Sequence, residues 1–122
     1  MTNHAVLSAS ASHRWLNCPP SVRLTEKLED KVSTYALEGT DAHELCAYLV
    51  ETALGRKARD PTANLTFYNE EMQHCAEEYR NYVVEQIEIA KTYSRDPTVL
   101  VEQRLDFSKW VPEGFGTGDC II

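Results

Sequence analysis

Ala42, Leu45, Cys46, Leu49, Val50, Ala53 and Leu54 recur at the spacing of one face of an α-helix. Fourteen residues with that stripe need a partner surface, so the chain has to build a core around it. The run Glu38-Gly39-Thr40-Asp41-Ala42-His43-Glu44 supplies an opening for this helix. Gly39 breaks what precedes it, Thr40 can cap the free backbone donors, and Asp41 and Glu44 place negative charge at the positive end. The predicted helix runs from about Asp41 to Leu54, and Gly55 ends it as a C-terminal glycine should. His43 falls on its first turn, about a 100° step round from Ala42, at the edge of the stripe. From there it can reach into a cleft. On the helix alone, a surface or half-buried histidine without a role is the better account of it.

The flanking segments give this helix something to pack on. Asn69, Glu70 and Glu71 open a longer predicted helix with Met72, Cys75, Tyr79, Tyr82, Val83, Ile87 and Ala90 along one side. Its other face is rich in glutamate and suits water. After the turn signal Arg95-Asp96-Pro97, residues Thr98 to Phe107 alternate as a half-buried strand. Val99, Val101, Gln103, Leu105 and Phe107 lie on one side, and Leu100, Glu102, Arg104 and Asp106 on the other. A Pro- and Gly-containing connection, Ser108 to Gly116, leads to a second strand over Thr117 to Ile122, antiparallel to the first. Ahead of all this, His4 to Cys18 reads as strand or coil entering a helix capped by Ser8 or Ser10. Trp15 and Leu16 serve as its anchors and Pro19-Pro20 as its stop. A second short helical piece covers Val22 to Leu28, and Asp30 to Leu37 reads as a connecting loop.

The predicted fold class is therefore α/β in the α+β sense: N-terminal helices packed on the first two strands of a mixed sheet. Two strands do not make a stable sheet on their own, and the sequence stops inside an apolar run. The expectation is that residues 1–122 form the N-terminal part of one larger domain.

Composition narrows the function classes. With 43% apolar and 25% charged residues the chain is an ordinary globular one. A net charge of -7 does not advertise a nucleic-acid binder. Yet residues 1 to 25 hold Arg14, Arg23, His4 and His13 with no acid before Glu26. Four cysteines at 18, 46, 75 and 120 form no CxxC pair, and Cys46 and Cys75 fall on apolar helical faces as small core residues. No secretory signal, lipidation motif or membrane-length apolar run is present. A reducing, cytoplasmic setting with no membrane contact is the expectation.

Three residues from different elements carry candidate chemistry: His43 on the helix, Glu102 in the first strand and Asp119 in the second. Two carboxylates and one imidazole suit Mg2+ or Mn2+ better than zinc. Asp119 stands in an apolar strand, where a carboxylate costs free energy unless it is paired, metal-bound or at a water-facing edge. Glu102 alternates with Arg104 on one face, so an ordinary cross-strand or neighbouring ion pair is the better account of it. Phosphate-binding and dinucleotide motifs are missing, and Gly114-Phe115-Gly116-Thr117-Gly118 opens a strand rather than a helix. Cys18 before Pro19-Pro20 reads as a structural corner, not a nucleophile.

Three ordered segments carry a family resemblance. They are Leu7-Ser8-Ala9-Ser10-Ala11-Ser12-His13-Arg14-Trp15-Leu16-Asn17-Cys18-Pro19-Pro20-Ser21, then Glu38-Gly39-Thr40-Asp41-Ala42-His43-Glu44, then Val101 to Phe107 with Trp110 to Asp119. Together they resemble a phage and prophage branch of RecB-like nucleases within the PD-(D/E)XK superfamily, a branch long carried as a domain of unknown function. The resemblance implies a restriction-endonuclease-like sheet and Mg2+- or Mn2+-dependent cleavage of DNA. It implies that His43 matches the helix histidine and Asp119 the first strand aspartate of the metal site. Glu102 matches a recurring acid of the preceding strand. Cys18 aligns with the first of four cysteines that hold an iron–sulfur cluster in some relatives. Cys46, Cys75 and Cys120 are not at the other three places, so no cluster is expected.

The family's acid-x-lysine motif would follow Asp119, and the sequence stops three residues after it. Two expectations follow. The first is the N-terminal portion of a phage-type nuclease, inactive as an isolated chain, with DNA as the partner of the complete domain. The second is a non-catalytic nuclease scaffold that binds a phage recombination or replication protein through its acidic helical face. Its open strand edge would be available for a dimer.

Overall fold

The computed structural model describes residues 4–29 and 31–122. Asp30, where the sequence places the start of a connecting loop, lies outside the described residues. In chain order the elements are α1 (Ser12–Asn17), α2 (Ser21–Thr25), α3 (Thr34–Ala53), a 3-10 turn at Thr62–Asn64, α4 (Glu70–Tyr93), β1 (Leu100–Asp106) and β2 (Phe115–Ile121). The strands pair antiparallel in a two-stranded open sheet, and the protein is a mixed α+β structure with helices packed on strands. The chain divides into two compact units. One comprises residues up to Lys31 with Gln103–Gly118, the other Val32–Glu102 with Asp119–Ile122.

The larger unit holds the core. Leu45 of α3 packs with Leu65, Met72 and Ala76 at one end, and Val50 of α3 with Val83, Ile87 and Val99 at the other. Leu45 and Val50 are each only 1% exposed, so the predicted α3 stripe is the structural spine. Val101 and Cys120 join the second cluster from the strands. That contact ties the ends of β1 and β2 that belong to this unit onto α3 and α4. The α4 register differs from expectation. Ala76, not Cys75, is buried, and Cys75 and Tyr82 face water. Small Ala76 lets the two helices approach closely beside Leu45, which leaves the cysteine on the adjacent, open face.

The helix start is the larger correction. α3 begins at Thr34, where Ser33 caps it by accepting a hydrogen bond from Ala36 N at 3.1 Å. The last four residues of the predicted loop, Thr34 to Leu37, are helical, and Gly39 lies inside the helix. A glycine there costs about 1 kcal/mol relative to alanine, which burial of the Leu45 and Val50 face offsets. Thr40 does not cap. Its hydroxyl donates to Ala36 O at 3.0 Å, within the helix. Asp41 serves the tertiary structure instead of the helix start. Its carboxylate accepts from Phe67 N at 2.8 Å and fastens the segment before α4. His43 therefore sits in the third turn of α3 rather than the first. The other end follows the sequence reading, with Gly55 left-handed at φ 74°. The next residue, Arg56, donates to Val99 O at 2.8 Å and pairs with Glu51 at 3.3 Å, anchoring the entry to β1.

α4 starts where expected, with Asn69 Oδ1 accepting from Met72 N at 2.7 Å. In the smaller unit, α1 lacks the predicted serine cap. Its N-cap is Ala11, and Ser8 acts instead through its carbonyl, which accepts the Trp15 indole N–H at 2.9 Å. Trp15 is half-buried, but Leu16, expected as an anchor, is 66% exposed. A six-residue helix shows only one face to its neighbours, and adjacent residues cannot share it.

Candidate metal centre

His43, Glu102 and Asp119 arrive from α3, β1 and β2, and all three belong to the larger unit. Val50, packed on Val83 and Ile87, fixes the face of α3 two turns beyond His43. The β2 residue after Asp119, Cys120, packs into the same cluster, and Asp119 itself lines the cavity beside His43. One ligand atom from each of the three lies within 4.8 Å of the others. His43 Nδ1 and Asp119 Oδ1 are 3.5 Å apart, with 59% and 56% of their side chains exposed. The three residues singled out from the sequence are thus brought together, one imidazole and two carboxylates open to solvent.

Glu102 reaches the cluster by an irregularity. Regular alternation would put it on the opposite side from Val101, yet both line the same cavity of about 230 Å³. The reason lies in the backbone: Glu102 has φ 50°, in the left-handed region, and the extended run is broken there. A non-glycine residue held in that region costs on the order of 1 kcal/mol or more, and such strain concentrates at binding and catalytic positions. Glu102 makes no ion pair with Arg104 among the described residues. Arg104 instead stacks over Phe115, 4.2 Å from the ring centroid.

Electrostatics agree with the geometry. Partial burial first, and the like charge of Asp119 second, push the Glu102 carboxyl above its ordinary range, while His43 opposes the shift. Two carboxylates and a histidine gathered at this spacing favour a cation between them, and the donor set fits Mg2+ or Mn2+. The 3.5 Å His43–Asp119 separation is near the roughly 3 Å between adjacent ligands of an ion with bonds of about 2.1 Å.

Behind the cluster the cavity is apolar, lined by Ala42, Cys46, Ala47, Val50, Tyr79 and Val101. In the sequence Cys46 and Tyr79 are legible only as stripe residues, and nothing there marks their place on the cavity wall. Burial pushes the Cys46 thiol up, with further increments from Cys75, Asp119 and Glu102. Burial likewise raises Tyr79. Neither is a thiolate or phenolate near neutral pH, so both act as walls. All four cysteines are free, and Cys18 is exposed at the end of α1. Among the described residues no helix is long and apolar enough to cross a membrane.

The structure thus defines a mixed α+β protein with a solvent-open histidine–dicarboxylate cluster over an apolar cavity. Residues 4–122 match a family described as a protein of unknown function, DUF2800, and the chain belongs to that family. No solved structure matches it.

Proposed function

We propose that this chain carries the histidine–carboxylate part of the metal site of a RecB-like PD-(D/E)XK nuclease, and that the activity it serves is divalent-metal-dependent hydrolysis of DNA phosphodiesters. One observation carries the reading: His43, Glu102 and Asp119, far apart in sequence, place ligand atoms within 4.8 Å of one another. They lie in the segments whose order resembles that nuclease branch. His43, Asp119 and Glu102 would hold the ion together, Glu102 reaching it from β1. A Mg2+ or Mn2+ ion, when bound, supplies Lewis acidity toward a phosphoryl oxygen. The chain's own residues neutralise and orient. The carboxylates set the charge of the site, α3 fixes the imidazole, and the apolar wall limits water to the open side. On this reading the acid-x-lysine strand that follows the aspartate in the family supplies the remaining carboxylate and a lysine for transition-state charge.

The test is cleavage of linear DNA, single- and double-stranded, by the full-length gene product with Mg2+ or Mn2+. His43→Ala and Asp119→Ala should each lower the rate by at least about a hundredfold, the scale of losing one preorganised electrostatic group, with circular dichroism unchanged. Wild-type cleavage rates in both variants would remove these residues from the site.

A further inference from the structure

The β1–β2 connection holds a feature that the metal site does not use. Trp110 is 75% exposed, and Lys109 Nζ lies over its ring, 5.5 Å from the centroid. The turn that presents it is closed on all sides. Phe107 N donates to Gly114 O at 3.0 Å, Trp110 N and Val111 N both donate to Phe107 O at 3.0 Å, and Gly114 N donates to Val111 O at 2.8 Å. Asp106 accepts from Ser108 N at 2.9 Å. Gly114 is required, because a Cβ there would lie 2.7 Å from the Phe107 ring. An indole is thus held out in water by a turn with little freedom left to lose.

A second aromatic–cation pair stands in the same unit, Arg104 over Phe115. It borders an open cavity of about 440 Å³ that His4, Asp106, Ser108 and Glu113 also line. Charge is distributed accordingly. Half of the twelve lysines and arginines fall in this unit, with only five of the nineteen acids. Ser108 hydrogen bonds first and Arg104 last hold the Asp106 carboxyl low. Lys109 is the cation beside Trp110.

Flat aromatic faces with a cation against each are the chemistry that unpaired nucleobases and their phosphates recognise. A base inside a duplex has both faces occupied and cannot stack on a turn. We infer that the 108–114 turn is a single-strand grip, in which Trp110 stacks on an unpaired nucleobase and Lys109 meets the adjoining phosphate. The choice of nucleic acid as partner rests on the nuclease reading, but the grip itself needs no metal.

The experiment is fluorescence anisotropy of a labelled oligothymidylate of about a dozen nucleotides, with the 122-residue chain in EDTA at low salt. Binding should favour the single strand over its duplex with oligodeoxyadenylate. It should weaken only about as the 0.7 power of salt for one phosphate contact. Trp110→Ala should weaken it about tenfold or more, Trp110→Phe should retain most of it, and Tyr93→Ala, which removes an exposed aromatic at the end of α4, should bind as wild type. Equal affinity in Trp110→Ala, no binding by the wild type, or duplex bound as tightly as single strand would each overturn the grip. Mn2+ titration of the wild type, His43→Ala and Trp110→Ala reads the other proposal separately. A chain that binds Mn2+ through His43 yet ignores Trp110→Ala loses the grip and keeps the metal site. The reverse pattern does the opposite.

Discussion

Glu102 joins strain to a candidate ligand, and the two can be separated by substitution. At φ 50° any residue with a Cβ bears the left-handed penalty, whereas glycine does not. Glu102→Ala and Glu102→Gly both delete the carboxylate and its repulsion with Asp119. Only glycine also releases the backbone. Glu102→Gly should therefore exceed Glu102→Ala in stability by about 1 kcal/mol, a difference of about 2–6 °C in Tm for a chain of this length. Urea unfolding without metal measures it directly. Metal reverses the ranking against wild type. At a hundred times Kd, an ion bound only to the folded wild type adds about 2.7 kcal/mol, and both variants should forfeit most of that gain. Glu102→Gly no more stable than Glu102→Ala would refute the strain. Full Mn2+ stabilisation in Glu102→Gly would show that Glu102 contributes nothing to the site.

Further expectations test neighbouring parts of the structure. The Glu102 carboxyl is raised, so the metal-free folded state holds its proton to higher pH than the unfolded chain does. Its contribution favours folding near and below the ordinary carboxylate range and is lost as pH rises through the raised value. Wild type minus Glu102→Gln, followed by unfolding midpoints from acid to neutral pH, should show stability falling with that sign. Leu45→Ala opens a cavity in the α3–α4 core and should cost about 2–5 kcal/mol in urea unfolding; a cost below about 1 kcal/mol would mean that the core is not built around α3. Gly114→Ala forces the Phe107 ring aside and should destabilise by about 1–3 kcal/mol, whereas Gly39→Ala meets no atom within 4 Å and should stabilise α3.

Much of the fold is legible in the sequence because periodicity reports burial. The α3 stripe, the Asn69 start of α4, the Gly55 stop and the strand pair all follow from residues whose burial or capping geometry is local. The start of α3 is not legible, for a physical reason. Gly39 carries the ordinary signature of a break, and only the tertiary packing of Leu45 and Val50 overrides it. The candidate cluster is legible as three residue types on three elements, but its geometry is not. Alternation assigns Glu102 to the face opposite Val101, and only a left-handed residue in the strand brings them to one cavity. No residue type marks that position, since a glutamate with positive φ looks like any other. Trp110 is hidden in what reads as a connection, because turn composition says where the chain bends and nothing about which side chain is left outside.

Whether His43, Glu102 and Asp119 bind a divalent ion together is decided by Mn2+ titration followed by electron paramagnetic resonance. The 122-residue chain should bind one Mn2+, displaceable by Mg2+, with affinity reduced about tenfold or more in each of His43→Ala, Glu102→Gln and Asp119→Asn. No binding to the wild type, or the same binding in all three variants, would contradict it.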